Sequence, residues 1–106
     1  MKLPPNAQIA WRKITEYLLT FRAEDDKSLF LAQAGYIGSA AERLLRDLRQ
    51  LSQQDASFIE ATEYGDKYEI RGMLLGPNGR DLKVVTIWMI EHGGDSKFIT
   101  LYPDKP

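Results

Sequence analysis

The second half of the chain carries Glu60, Lys67, Arg71, Thr86, Trp88, Thr100 and Tyr102, with Arg80 and His92 in the segments between them. These residue types suit a metal-free transfer at phosphorus. Such a reaction needs a base for the attacking oxygen, cations for the phosphorane and an acid for the leaving oxygen. Glu60 is the candidate base, and Arg71 and Lys67 are the candidate phosphate clamps. Tyr102 or His92 is the candidate acid, with Thr86 and Thr100 as positioning hydroxyls. Trp88 offers a ring on which an unpaired base can stack. Arg80 and Lys27 are further candidate contacts. Each has an ordinary reading as well. A loop histidine and a turn arginine are common surface residues. Lys27 also has Asp25 and Asp26 beside it as partners.

The composition narrows the field. The chain has 106 residues, the length of one small domain. It has no cysteine, which excludes disulfides, thiolate metal sites and a thiol nucleophile. One histidine excludes chemistry that needs two imidazoles. No phosphate-binding loop, dinucleotide fingerprint, nucleophile elbow or metal-ligand spacing is present. Neither cofactor nor metal is expected. No apolar run approaches the roughly 18 residues of a membrane helix. The first residues lack a hydrophobic signal core, so a cytoplasmic protein is expected. A net charge of -1 argues against binding nucleic acid by bulk charge alone.

The elements that must position these residues follow from periodicity. Residues 1–53 carry eight Lys/Arg and six Asp/Glu; residues 54–106 carry six and nine. The hydrophobic period changes from helical to alternating at the same place. This predicts an α+β domain spanning 1–106, helical over about 7–53 and sheet over about 56–103. Three helices are expected. The first covers 10–21, with Trp11, Ile14, Leu18 and Phe21 on one face. The second covers 26–35, from Asp26 as N-cap to Gly35 as terminator. The third follows a capping box at Ser39 and Glu42, with Ala41, Leu44, Leu48 and Leu51 as its apolar stripe. Arg43, Arg46 and Arg49 fall mostly opposite, a solvated face broken by Glu42 and Asp47. Strands are expected over 57–64, 67–75, 81–90 and 97–102. The fold expected is a four-stranded antiparallel meander with the helices packed on one face.

Hairpin register then sorts the strand residues, because a slip of one exchanges the faces. A two-residue Asn78-Gly79 turn sets Arg71 opposite Thr86, Glu69 opposite Trp88 and Ile70 opposite Ile87. A Gly65-Asp66 turn sets Glu60 opposite Arg71. Ile59, Ala61, Tyr68, Ile70, Leu74, Val85, Ile87 and Met89 are then expected beneath the helices. Glu60, Thr62, Lys67, Glu69, Arg71, Thr86 and Trp88 form a free face, joined by Thr100 and Tyr102. The ordinary reading of such a face is that it is merely wet. Trp88 in its middle weighs against that reading.

Several segments resemble an uncharacterised bacterial domain family. They are Leu3-Pro4-Pro5-Asn6-Ala7, Lys13-Ile14-Thr15-Glu16-Tyr17-Leu18-Leu19 and Thr62-Glu63-Tyr64-Gly65-Asp66-Lys67-Tyr68. Gly76-Pro77-Asn78-Gly79-Arg80, Val85-Thr86-Ile87-Trp88-Met89-Ile90 and Thr100-Leu101-Tyr102-Pro103 complete them. The chain departs by an extra proline near its start and by the absence of a His-Pro pair ahead of Lys27. The resemblance implies small bacterial proteins and the ends of larger polymorphic toxins. The layout of helices then four strands is similar to the barnase–EndoU–colicin–RelE superfamily of toxin ribonucleases.

Two functions are therefore in view. One is a toxin-like, metal-independent ribonuclease acting on single-stranded RNA through the 2′-hydroxyl, with a small cognate antitoxin or immunity protein as partner. The other is a non-catalytic protein-binding module that uses the same face, with Trp88 and Tyr102 as anchors.

Overall fold

Ile14 and Leu18, four residues apart, are the buried side of the first helical segment. The computed structural model, which describes residues 1–105, shows a π-helical stretch there, Lys13–Leu18. The Leu19 amide donates to the Ile14 carbonyl five residues back at 3.0 Å. The wider turn changes which residues share a face, and the segment ends at Leu18, three residues before Phe21. Trp11 and Phe21, expected to be buried with Ile14 and Leu18, are exposed.

Helix α1 is Ser28–Ala32. It is shorter than the expected 26–35, and its N-cap is Lys27 rather than Asp26, which lies one residue further back and accepts the Leu29 amide at 3.1 Å. Gly35 ends the segment at φ +88°, a conformation that favours glycine. Helix α2 is Ala41–Leu51, and it buries Ala41, Leu44, Leu48 and Leu51 as its stripe predicts. The capping box does not form. Ser39 lies inside a 3₁₀ turn, Gly38–Ala40, so α2 starts two residues beyond it and no side chain caps it.

The strands are β1 Ser57–Thr62, β2 Gly65–Leu75, β3 Asp81–Glu91 and β4 Ser96–Pro103. They form one antiparallel sheet in the order β1-β2-β3-β4, the expected meander. The register of β2 on β3 differs from the expected one. Leu75 pairs with Asp81, so five residues form the connection. An odd loop flips β3 relative to β2. Ile70 therefore faces Thr86, Tyr68 faces Trp88 and Arg71 faces Val85. The cause is tertiary. The Asn78 amide donates to the Ala34 carbonyl at 3.2 Å, and Asn78 Nδ2 donates to the Gln33 carbonyl at 3.1 Å. Gly76 sits so close to Ala34 that a Cβ there would collide with its backbone. The turn is moulded on the end of α1 rather than closing as a free Asn-Gly hairpin.

The other connections shift too. Glu63 and Tyr64 form the first turn, so Glu60 faces Lys67 rather than Arg71. A bulge after Phe58 and another at Ile99 interrupt the ladders. The main core joins Ile14, Leu18, Leu44 and Leu48 with Ile70, Val84, Trp88 and Leu101. Trp88 and Phe98 meet edge to face at 5.2 Å. On the opposite face Val85, Ile87 and Met89 are buried outside that core. They lie between the polar rows of β2 and β4, not beneath the helices as expected. Among the described residues no helix is long and apolar enough to cross a membrane.

Candidate functional site

The register decides what the expected free face contains. Thr86 and Trp88 leave it, because both are fully buried in the core. The indole Nε1 donates to Thr86 Oγ1 at 2.8 Å, and that hydroxyl donates to the Ile70 carbonyl at 2.9 Å. Each buried polar atom of the pair is thereby satisfied. Trp88 is neither a stacking platform nor an exposed anchor.

Glu60, Lys67, Arg71 and Tyr102 do stand on the outer face, but not together. Glu60 pairs with Lys67 at 3.6 Å. Arg71 lies four residues further along β2, about 13 Å at strand spacing. Its guanidinium meets Asp104 at 2.6 Å and Glu69 at 3.5 Å. The hydrogen bond to Asp104 leads in raising its pKa, followed by the charges of Asp104 and Glu69. Two carboxylates thus neutralise the cation that was to clamp a phosphate. Tyr102 faces Val85 in the Arg71 row. His92 is exposed in the last turn, its Nε2 2.8 Å from the Glu63 carbonyl. Arg80 is exposed in the β2–β3 turn, which is the other end of the sheet.

Lys27 and Thr100 belong to a different cluster. Tyr17 projects from the π-helical stretch, and its hydroxyl donates to Asp25 Oδ2 at 3.1 Å. The same hydroxyl lies 3.0 Å from Thr100 Oγ1 on β4. Asp25 Oδ1 pairs with Lys27 Nζ at 3.1 Å. The Lys27 side chain is 13% exposed. Lys13 Nζ stands 4.9 Å from the Tyr17 ring centroid, and the Arg22 guanidinium carbon 5.4 Å. Five charged or phenolic groups from the π-helical stretch and the following loop thus form one cluster, and Tyr17 joins it to the Thr100 hydroxyl of the sheet.

Local structure explains the gathering. Lys13 and Tyr17 lie four residues apart on the π-helical stretch. Asp26 Oδ1 accepts the Arg22 amide at 2.9 Å and folds the loop back. Asp25 adopts φ +52°, a left-handed conformation that aspartate tolerates better than most residues. The hydrogen bond from Lys27 holds the Asp25 carboxyl below its usual range, aided by the bond from Tyr17 and the charge of Lys27.

Lys27 and Thr100 of this cluster were legible as candidates and Asp25 as a partner of Lys27, whereas Tyr17, Lys13 and Arg22 were not. One signal was available. A lysine opening a helix is disfavoured by the dipole, and Asp25 stands two residues before it. Tyr17 could not be joined to Thr100 from sequence, because 83 residues separate them.

Residues 2–105 match the family described as a domain of unknown function, DUF6883. A solved structure of a contact-dependent growth inhibition toxin–immunity protein complex from Klebsiella pneumoniae 342 contains a chain of similar fold. The TM-score is 0.70 at 15% identity, covering 91% of this chain and 98% of that one. No curated protein matches the sequence.

Proposed function

The chain belongs to the DUF6883 family, and from its site geometry we propose that it is a metal-independent ribonuclease of a toxin–immunity system. It cleaves single-stranded RNA in the cytoplasm and is held in check by a small cognate partner. The fold shared with a chain of a toxin–immunity complex supports the setting. The observation that carries the chemistry is the Tyr17 hydroxyl between Asp25 and Thr100, with Lys13, Arg22 and Lys27 around it.

In this reading the 2′-oxygen attacks the adjacent phosphorus while its proton passes to the Tyr17 oxygen. Tyr17 gives its own proton to Asp25. Lys13 and Arg22 stabilise the phosphorane, as fixed cations do where charge develops. The bond from phosphorus to the 5′ oxygen breaks, and the Lys27 ammonium protonates that oxygen. The products are a 2′,3′-cyclic phosphate and a 5′-hydroxyl. Thr100 holds the phenol in place.

The test is a labelled single-stranded RNA incubated with the protein in EDTA. Wild type should leave 2′,3′-cyclic ends. Lys27→Ala should lose about a hundredfold or more in rate. Arg71→Ala, whose cation is already neutralised, should cleave as wild type does. An inert wild type that also leaves growth unaffected on expression would sink this reading.

The second reading, a protein-binding module, has its own observation. Phe58, Ile59 and Tyr64 are exposed on edge strand β1 and its turn. An open strand edge carrying apolar side chains is a surface to which a partner strand can add.

A further inference from the structure

Most cations of this chain are cancelled locally. Arg12 pairs with Glu16, Arg43 and Arg46 with Asp47, and Arg71 with Glu69 and Asp104. Lys13 and Arg49 are different. Lys13 Nζ donates to the Ile99 carbonyl at 2.9 Å, and Arg49 Nη1 donates to the Ala7 carbonyl at 3.3 Å. Neither meets a carboxylate among the described residues. Backbone carbonyls fix their positions and leave their charge in place.

Both line one groove of about 590 Å³ between residues 8–10 and β4. Lys97 is its third cation, held only loosely by Glu91 at 3.8 Å. Ile9 and Phe98 contribute apolar walls, and among the described residues no carboxylate lines it. A second depression of about 370 Å³ shares Ala10 and Lys13 with the groove and reaches Tyr17 and Arg22. The groove therefore leads into the candidate site through Lys13. Among the described residues Glu16 is the one acid lining this path, and Arg12 holds it at 2.6 Å.

We infer that this groove binds the phosphodiester backbone of a single RNA strand flanking the cleaved bond. The inference rests on the proposed ribonuclease reading and names where its substrate lies. Cations gathered along a groove, two of them without a carboxylate partner, are the footprint of a polyanion, and they act despite the net charge of -1. A partner strand is disfavoured here because the edge of β4 is already closed. The Gln8 amide donates to the Ser96 carbonyl, and the Phe98 amide donates to the Gln8 carbonyl, both at 2.8 Å. Lys13 takes the next carbonyl, that of Ile99.

The experiment measures anisotropy of a labelled 2′-deoxy oligonucleotide, which lacks the attacking hydroxyl, across a salt series. Wild type should bind with strong salt dependence. Arg49→Gln with Lys97→Gln should weaken binding about tenfold and flatten the log–log salt slope by about 1.4, two single-strand contacts' worth. Lys83→Gln, an exposed lysine on β3 outside the groove, should bind as wild type. Arg49 also braces Ala7, so Lys97→Gln alone is measured beside the double variant, with a thermal melt of each. Unchanged affinity and slope in the folded variants would overturn the groove, as would an acidic protein partner being the only ligand that they lose. Groove and chemistry fail separately. Salt-dependent binding without RNA cleavage removes the ribonuclease reading, whereas cleavage with unaltered binding in the variants removes the groove.

Discussion

The Tyr17 hydroxyl lies 3.0 Å from Thr100 Oγ1, joining the first helical stretch to the last strand across 83 residues of chain. Tyr17→Phe removes this contact and the bond to Asp25 while keeping the ring. A neutral hydrogen bond contributes about 1 kcal/mol net and one to a carboxylate about 1.5–3 kcal/mol, less at an exposed site, so the variant should remain folded. Its rate on RNA should fall by about 10²–10⁴, the usual worth of a positioned proton-transfer group. Thr100→Val should show a similar stability loss with a smaller rate effect. A Tyr17→Phe protein that cleaves RNA at full rate would remove the phenol from the reaction.

Asp25 connects the cluster to pH. Its carboxyl is held below the ordinary value by Lys27 and Tyr17. A depressed carboxylate contributes stability above its unfolded value, about 3.9, and that contribution fades as pH falls through the folded value. Asp25→Asn should therefore be less stable than wild type at neutral pH. The gap should close in acid, below the ordinary carboxylate range. Urea denaturation of both proteins along a pH series checks the sign, and a gap that widens in acid would contradict it.

Gly76 tests the origin of the β2–β3 register. A Cβ there would strike the Ala34 backbone and side chain. Gly76→Ala should cost about 1–3 kcal/mol through overpacking. Gly93→Ala, which meets nothing within 4 Å, should be close to neutral. Denaturant midpoints of the two variants decide between a moulded turn and an indifferent one.

Thr86→Val tests the correction to the site. The substitution strips the acceptor from the buried Trp88 N–H. Leaving a buried donor unsatisfied costs about 1–3 kcal/mol. Activity per folded molecule should stay at the wild-type level. A large loss of rate in a folded Thr86→Val protein would return this residue to the chemistry.

Element types and their order were legible in the residues themselves. Ala41, Leu44, Leu48 and Leu51 carry a helical period, and their burial follows it. Alternation and glycine-rich turns marked four strands, and antiparallel neighbours are the shortest way to connect them. These are local properties, readable within a window of a dozen residues. The Ser39 signal was local too, yet it failed. A 3₁₀ turn displaced the start of α2, and the capping pattern cannot report such a shift.

Faces and site were a different matter. Whether Trp88 or Ile87 turns to the core depends on whether the preceding loop has an even or odd length. That parity was set by Asn78 and Gly76 docking on Ala34, a contact across more than forty residues. The Asn-Gly pair specified a turn but not the length of it. In the same way, Lys27 announced itself only as a misfit beside Asp25. Its link through Asp25 to Tyr17 and Thr100 required the loop to fold back and β4 to lie alongside. The sequence by itself determined the elements, because hydrophobic period and turn residues are local signals. Only the tertiary structure decided register and site, because both depend on contacts between segments whose separation along the chain carries no pattern.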